Sequence, residues 1–388
     1  MRKPESTPQV LHLLQQLIAI ESHIDADDRE SAIGRFLVNW FHEHQIDAEL
    51  QPVEGERANV VARIHGGDGP SLMLNGHMDT VPAGDMPGAF SARMQDGVLW
   101  GRGACDMKGA IAAMACSMAD LAQGTASNRL SGDLLFTGTV GEETGSIGVK
   151  ALIETGVKTN FAIVGEPTSL RVGIAHKGAC FIRISLTGRG AHGSCPDQGI
   201  NAVSYASQII QVLETNLRST LAKRIHPLLG SSTVSVGRIS GGTQPNIVAE
   251  HCFIDIDRRT LPDEEGVVEE ISCVVASICD SVDGLSWSVE EMPETSTVPH
   301  GALGTMPDAP LVKCAQEALQ RLDLLSEPVG VTYWTDGGHL AASGIETIIL
   351  GPGNITNAHG PHDQVEVSEL TESVSLYRDL VQRMLVPI

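Results

Sequence analysis

The sequence predicts an α/β fold, a mixed and mostly parallel sheet flanked by helices, with a smaller α+β unit inserted into it. Strand-like and helix-like segments alternate up to about residue 173, and this pattern resumes near residue 298. Such alternation indicates a sheet with parallel pairs. Between these points the strands alternate polar and apolar residues, which is typical of strands with two different faces. We therefore expect one domain at 1–173 and 297–388, and an inserted domain at 174–296.

The larger domain opens with apolar residues at helical spacing and continues with two strands around a Gly-Asp-Gly-Pro turn. An Ala-rich segment then predicts a buried helix that ends at a glycine. The strands "DLLFTGTVG" and "FAIVGEP" follow, with a short helix between them. The predicted helices are 8–22, 28–45, 107–124, 146–156 and 309–322, and the predicted strands are 59–66, 71–79, 133–140, 161–167 and 347–353.

The inserted domain contains four strands with alternating faces and two helices. This set of elements predicts a compact α+β unit. The strands are 179–190, 232–242, 251–259 and 285–292, and the helices are 199–219 and 263–282.

Composition excludes several classes of partner. The formal net charge of -22 argues against nucleic acid and anionic membranes, which require basic surfaces. No segment approaches the roughly 18 apolar residues of a membrane span, and the first segment has no secretory signal pattern. The eight cysteines include no CxxC pair. We therefore expect reduced thiols in a cytoplasmic protein.

Histidine and carboxylate side chains follow four of the predicted strands. In open α/β sheets, ligands bind beyond the carboxyl ends of the strands. Each residue also has an ordinary structural explanation, such as a helix cap, a surface turn or an exposed loop. It is improbable that a separate structural explanation of this kind applies to every one of these residues, so we expect them to share one site. The residues are His77, Asp79, Glu142, Glu143, Glu166 and His359, and the loop before the Ala-rich helix adds Asp106.

Two histidines and three or four carboxylates, without a thiolate, are the ligands that zinc, cobalt or manganese prefers. A catalytic zinc takes about three protein ligands and a water. Five ligands are therefore too many for one ion. They suit two ions that share a bridging carboxylate and lie roughly 3.5–4 Å apart.

The adjacent acids Glu142 and Glu143 are explained by the same site. Neighbouring residues in extended chain point in different directions, and the flanking glycines allow a corner there. One glutamate can then bind a metal ion while the other takes a proton from the activated water. Asp79, two residues after His77, suits the carboxylate that orients a metal-bound histidine.

Five blocks of this sequence resemble the signature motifs of the M20 metallopeptidases. They are "NGHMDTVP", "GRGACDMKG", "TVGEETGS", "VGEPT" and "GPGN...AHGPHDQV", in this order along the chain. The branch that they resemble most is that of acetylornithine deacetylase and succinyl-diaminopimelate desuccinylase. The resemblance implies a zinc-exopeptidase-like catalytic domain, with residues 174–296 as a lid and dimerisation domain.

The resemblance also implies a role for each site residue. His77 and Glu166 would hold one Zn²⁺, Glu143 and His359 the other, and Asp106 would bridge them, with Co²⁺ or Mn²⁺ as alternative metals. Glu142 would be the general base, Asp79 would orient His77, and a cis peptide would follow Asp106. In the inserted domain, His192 would stabilise the oxyanion in the active site of the partner subunit, Asn246 would contact substrate, and Arg259 would bind its carboxylate, with Arg258 as the alternative.

The function implied is cleavage of the amide bond of an N-acyl amino acid, of the N-acetylornithine or N-succinyl-diaminopimelate type, by a metal-bound hydroxide. The protein would be a cytoplasmic homodimer that acts on a small molecule. A dipeptidase, carboxypeptidase or aminoacylase would use the same metal chemistry. A metal-binding protein without turnover is the alternative from another class.

Two stretches depart from the family pattern. Proline and two acids commonly follow the metal-binding histidine, whereas this chain has "HGPHDQVEV" with His362 as a second candidate. The segment "VTYWTDGGHL", which contains His339, lies where branches of the family differ. The resemblance therefore leaves the preferred acyl group and amino acid open.

Overall fold

The computed structural model describes residues 6–123, 130–292 and 300–386. Among these residues the chain divides into two compact units. The predicted boundary at 296 and 297 and the predicted helix end at Gly124 lie outside the described residues. The first unit comprises Met1–Ala175, Leu303–Val331 and Thr335–Ile388, and the second comprises His176–Ala302 and Thr332–Trp334.

A nine-stranded mixed sheet forms the centre of the first unit. In spatial order its strands are β1 (Asp47–Glu54), β2 (Arg57–Ile64), β6 (Leu134–Thr139), β3 (Leu72–His77), β7 (Phe161–Val164), β17 (Glu346–Ile349), β8 (Gly173–His176) and β15 (Leu303–Gly304), with β16 (Val329–Val331) beside β8. The strands β6, β3, β7 and β17 are parallel, and β1, β2 and β8 add antiparallel pairs at the sides. The predicted α/β fold class is confirmed.

Seven helices of the described residues pack in the first unit. They are α1 (Ser6–Ala19), α2 (Ser31–Glu43), α3 (Lys108–Gln123), α4 (Ile147–Glu154), α8 (Pro310–Arg321), α9 (Gly337–Ala342) and α10 (Val367–Leu385). The Ala-rich helix α3 is buried over nearly its whole length, and both α1 and α10 pack against it. Small side chains allow this close approach, because a buried helix surrounded by other elements has no room for large residues on every face.

The second unit is an antiparallel α+β structure. Its sheet has the strand order β12 (Thr233–Gly241), β13 (His251–Thr260), β9 (Gly178–Thr187) and β14 (Ser286–Glu291). The helices α5 (Ala202–Val212) and α7 (Val267–Cys279) pack on each other, and Ile182, Ile254, Ile209 and Ile271 belong to the core between helices and sheet. A π-helical turn, Leu213–Leu217, leads into α6 (Arg218–Leu221), and a hairpin of β10 (Ile225–His226) and β11 (Gly230–Ser231) follows.

Several elements were not predicted from the sequence. The largest is the C-terminal helix α10, whose apolar residues Leu370, Val374, Tyr377 and Val381 recur at helical spacing and are buried. A small sheet of β18 (Gln364–Glu366), β5 (Val98–Trp100) and β4 (Arg93–Gln95) was also missed. All eight cysteines are free thiols. Within the described ranges, none of the helices is long and apolar enough to cross a bilayer.

Candidate metal centre

Three parallel strands bring predicted site residues to one edge of the sheet of the first unit. His77 ends β3 and lies beside Thr139, the last residue of β6. On the other side of β3, Asn75 lies beside Val164, the last residue of β7. Glu142 lies three residues after the end of β6, and Glu166 lies two residues after the end of β7. Parallel strands therefore explain why residues far apart in sequence meet here.

Asp106 lies between the two histidines predicted to bind metal. His77 Nε2 is 3.0 Å from Asp106 Oδ1 and 3.7 Å from Glu166 Oε1. His359 Nε2 is 3.3 Å from Asp106 Oδ2 and 2.9 Å from Glu143 Oε1. Each oxygen of Asp106 thus faces one histidine, which is the arrangement that a carboxylate bridging two cations requires.

Two overlapping groups of side chains have ligand atoms within 4.8 Å of one another. One group is His77, Glu142 and Glu166, and the other is His77, Asp106 and Glu143. Glu142 therefore lies close enough either to bind a cation or to act beside one. All five predicted ligands lie in the first unit, together with Glu142.

The two histidines differ in exposure. The side chain of His77 is 1% exposed, whereas that of His359 is 53% exposed. The backbone of His359 has a φ of 60°, in the left-handed region that non-glycine residues rarely occupy. Backbone strain of this kind is concentrated at functional sites, because surrounding contacts must hold it in place.

The structure gives Asp79 a more specific position than the sequence predicted. The ring nitrogen Nδ1 of His77 is 2.9 Å from the main-chain oxygen of Asp79, and its distance from the Asp79 carboxylate is 3.6 Å. That carboxylate accepts hydrogen bonds from the backbone N–H groups of Glu142, at 3.1 Å, and Glu143, at 3.0 Å. Asp79 therefore holds His77 through its carbonyl and the glutamate pair through its side chain.

Gly141 makes the corner that separates the two glutamates. Its φ is +71°, a conformation that favours glycine. A Cβ atom at this position would lie 2.7 Å from Nη2 of Arg57 and 2.9 Å from Cγ1 of Ile147. The corner turns the chain after β6, and a side chain at residue 141 would disturb it.

We expect Gly141→Ala to lower the free energy of unfolding by about 2–5 kcal/mol. The left-handed backbone contributes about 1–2 kcal/mol of this loss, and overpacking contributes about 1–3 kcal/mol. Gly156→Ala is the matched control, because Gly156 has a φ of +81° and open space where its Cβ would lie. Urea denaturation should show a loss of only about 1–2 kcal/mol for the control. Equal losses in the two variants would contradict the predicted clash.

Electrostatics favour a cation among these side chains. Burial raises the pKa of Glu142 well above its ordinary value, and the nearby Glu166, Glu143 and Asp336 raise it further, although His77 opposes them. Burial likewise raises the pKa of Glu166, followed by repulsion from Asp106. A divalent cation relieves both the repulsion and the burial cost. With imidazole and carboxylate ligands and no thiolate, the set fits two ions of the Zn²⁺, Co²⁺ or Mn²⁺ type.

Asp336 is a further buried acid near this cluster that the sequence did not indicate. Its Oδ2 accepts a hydrogen bond of 2.7 Å from the hydroxyl of Thr139, at the end of β6. Burial raises the pKa of Asp336 to about 6, although the Thr139 hydrogen bond lowers it. The residue follows β16, a strand that was not predicted, and so it was not counted among the strand-end acids.

His359 and His362 are distinguished by their neighbours. His359 contacts Glu143 and Asp106, as described above, whereas the ring of His362 meets Trp100 edge-on with centroids 5.8 Å apart. This geometry favours His359 as the ligand. The peptide bond from Asp106 to Met107 is cis, as the resemblance implied.

Two residues with predicted roles, the catalytic His192 and the substrate-binding Asn246, are neighbours in the second unit. His192 forms an isolated β-bridge with Ile247, and the backbone N–H of Gly193 donates to the carbonyl of Asn246 over 2.7 Å. His192 Nδ1 lies 2.7 Å from the hydroxyl of Ser194. Both His192 and Asn246 are exposed, so their side chains are accessible to a ligand.

Arg258 and Arg259 lie on opposite faces of β13. Arg258 is fully buried and donates to Glu270 Oε2 over 3.1 Å. Arg259 is 31% exposed, its Nε is 2.9 Å from Asp257 Oδ1, and its guanidinium carbon lies 4.9 Å from the centre of the Trp334 ring. Both arginines are paired with a carboxylate, but Arg258 is enclosed, so Arg259 is the more accessible of the two.

Comparison with solved structures supports the fold. An aminopeptidase PepT from Bacillus cereus superposes with a TM-score of 0.79 at 20% identity, covering 97% of this chain and 98% of the other. A Bacillus subtilis protein described as a dinuclear metal binding peptidase from the M20 family has a TM-score of 0.73 at 19% identity, with 98% of each chain covered. At these identities the likeness shows a shared fold.

Comparison of sequences is more specific. A protein named acetylornithine deacetylase from Pectobacterium atrosepticum is 30% identical over 396 residues, which cover 97% of each chain. One of the same name from Proteus mirabilis is 29% identical and covers 97% of this chain and 96% of the relative. The model of peptidase family M20/M25/M40 matches residues 73–383. The chain therefore belongs to peptidase family M20/M25/M40.

Proposed function

We propose that this protein is a di-metal hydrolase that removes the acyl group from an N-acyl amino acid of the N-acetylornithine or N-succinyl-diaminopimelate type. The position of Asp106, with one oxygen toward each histidine, is the observation that carries the proposal. The relatives named acetylornithine deacetylase, which match over nearly the whole chain, support the choice of substrate.

His77 and Glu166 would hold one ion, Glu143 and His359 would hold the other, and Asp106 would contact both. Zn²⁺ is the ion that we propose first, with Co²⁺ or Mn²⁺ as alternatives. Divalent cations at such a site polarise the amide carbonyl and lower the pKa of water.

Glu142 is the proposed general base. It would take the proton of the water that attacks the carbonyl carbon and pass that proton to the nitrogen of the leaving amine as the C–N bond breaks. The products are the free amino acid and the carboxylate of the acyl group. Asp79 supports this step by accepting hydrogen bonds from the backbone of Glu142 and of its neighbour Glu143. A carboxylate in hydrogen-bond reach of the proton that it moves is the geometric requirement for this role.

We also propose roles for three residues of the second unit. We propose a homodimer in which His192 from the partner subunit stabilises the oxyanion of the tetrahedral intermediate, as preorganised donors do. Asn246 would contact substrate, and Arg259, held by Asp257 and Trp334, would bind the α-carboxylate. The free cysteines agree with a cytoplasmic location.

A panel of substrates tests the proposal. Purified protein loaded with Zn²⁺ or Co²⁺ would be assayed on N-acetylornithine, N-succinyl-diaminopimelate, N-acetylmethionine and dipeptides. We expect one of the first two to have a kcat/KM on the order of 100-fold higher than any dipeptide. Preference for N-acetylmethionine would indicate an aminoacylase, and preference for dipeptides a peptidase. Metal binding without cleavage of any compound would indicate a protein that binds metal without turnover.

A further inference from the structure

The carboxylate of Asp363 binds the loop that leads to Asp106. Its Oδ2 accepts hydrogen bonds from the backbone N–H of Gly103, at 2.7 Å, and from Nη1 of Arg102, at 3.1 Å. Its Oδ1 accepts from the backbone N–H of Cys105 over 2.8 Å. All three donors lie within four residues of Asp106.

The loop depends on these bonds because its conformation is tight. Gly103 has a φ of +84°, and the backbone N–H of Ala104 bonds back to the carbonyl of Gly101 over 2.9 Å. The N–H groups of Gly103 and Cys105 then point to one carboxylate, which is 1% exposed. Loss of the acceptor would leave two buried backbone donors unpaired, which destabilises this conformation of the loop.

Asp363 also belongs to the segment that carries His359. Asp363 directly precedes β18, whose residue Gln364 pairs with Trp100 of β5. The main-chain carbonyl of Asp363 accepts a hydrogen bond of 3.0 Å from the backbone N–H of Gly101. Three residues separate it from His359. Asp363 therefore connects two predicted ligands. Its side chain binds the loop before Asp106, and its main chain continues the segment that carries His359.

His359 needs such an anchor more than His77 does. The His359 side chain is half exposed, so packing constrains it less than it constrains His77, and its left-handed backbone must be held by other contacts. Its distance of 3.3 Å from Asp106 depends on how the two loops are held together. Arg102, 3% exposed, balances the buried charge of Asp363 and donates from Nη2 to the carbonyl of Ala83 over 3.3 Å.

We propose that Asp363 is a positioning residue that sets the distance between Asp106 and His359 and thereby the affinity of the metal position that these two residues share with Glu143. This inference rests on the proposed metal centre, and it adds a residue that does not itself touch the ions. It predicts an unequal effect. His77 and Glu166 follow the strands β3 and β7, so their metal position depends on Asp363 only through Asp106, whereas the other position depends on it through both Asp106 and His359.

The test is a titration of metal-free protein with Co²⁺, in which binding is measured by calorimetry and by the visible absorption of the bound ion. Asp363→Asn keeps the size of the side chain but replaces one acceptor oxygen with a donor. We expect one of the two binding steps to weaken on the order of 10–100-fold, while the other weakens by a clearly smaller factor. Asp363→Glu keeps both acceptors and should weaken the same step by a smaller factor, so it carries the test if Asp363→Asn does not fold.

Three further variants identify which binding step is affected and why. His359→Gln should weaken the same step, and the double variant with Asp363→Asn should lose clearly less than the product of the two single losses, because both changes act on one position. Asp133→Asn is the matched control, since Asp133 also accepts from a backbone N–H, that of Gly66 at 3.0 Å, and pairs with Arg63 at 3.3 Å. It should leave both binding steps unchanged.

Three results would overturn the proposal. One is equal weakening of both steps by Asp363→Asn, which would indicate a general loss of structure. Another is a lower melting temperature with unchanged Co²⁺ affinity. The third is a wild-type protein that binds fewer than two ions, which would remove the metal centre itself. Failure to cleave N-acyl amino acids, by contrast, would contradict only the proposed reaction, because the titration does not depend on turnover.

Discussion

Glu142→Gln will reduce amide hydrolysis by at least about 10²–10⁴-fold while both ions stay bound. Glutamine has nearly the same size but cannot accept the proton from the attacking water. Proton transfer by a positioned side chain contributes about this factor. The backbone N–H of residue 142, which donates to Asp79 over 3.1 Å, is retained in the variant, so the corner should keep its shape.

The measurement is kcat together with metal content for wild type and variant, under saturating substrate. Glu154→Gln, at the exposed end of α4, is the control and should keep native kcat. Hydrolysis by Glu142→Gln at a near-native rate would show that another group moves the proton. Loss of one bound ion would instead make Glu142 a ligand, which its place in a group with His77 and Glu166 permits.

Much of the candidate site could be predicted because strand ends leave a pattern in the sequence. A buried apolar run followed by a histidine or acid identifies His77 and Glu166, and parallel pairing then brings them to one edge. Asp106 and His359 lie on loops, where a single sequence offers less information. Both were counted with the strand-end residues, and the family motifs then gave each its role as a ligand.

The second bonding role of Asp79 could not be predicted, because its partners are backbone N–H groups. Every residue except proline carries such a donor, so nothing in the letters indicates that Glu142 and Glu143 donate to Asp79. The bonds of Asp363 to Gly103 and Cys105 were missed for the same reason. Contacts of this kind depend on the conformation of the loops, and the residue types alone do not determine that conformation.

The two arginines show a different limit. Neighbouring residues of a strand face opposite sides, so a shift of one position exchanges a buried side chain for an accessible one. The pattern around "DIDRRTLP" shows a strand but not which of its faces is covered by helices. The structure supplies this information, because Arg258 pairs with Glu270 beneath the sheet while Arg259 remains partly exposed.

Asp106→Ala will weaken both metal-binding steps, whereas His359→Gln will weaken mainly one. Asp106 presents a separate oxygen to each histidine, at 3.0 and 3.3 Å, so each proposed position loses a ligand when its carboxylate is removed. Repulsion among the acids is a smaller effect. Burial raises the pKa of Glu166 and of Glu143, and repulsion from Asp106 raises both further. Removal of Asp106 would relieve this repulsion, but a site with one negative charge fewer also attracts two divalent cations less strongly.

We expect the loss of a shared ligand to reduce affinity at both positions on the order of 100-fold or more, because removal of groups that merely support ligands already costs about 10–100-fold. Metal content after dialysis should fall from two ions to fewer than one in Asp106→Ala and to about one in His359→Gln. Hydrolysis should fall at least about 10³-fold in Asp106→Ala, since both the polarised carbonyl and the activated water are lost. A variant without Asp106 that retained one tightly bound ion would show that this carboxylate serves a single position, and the centre would then consist of two independent sites.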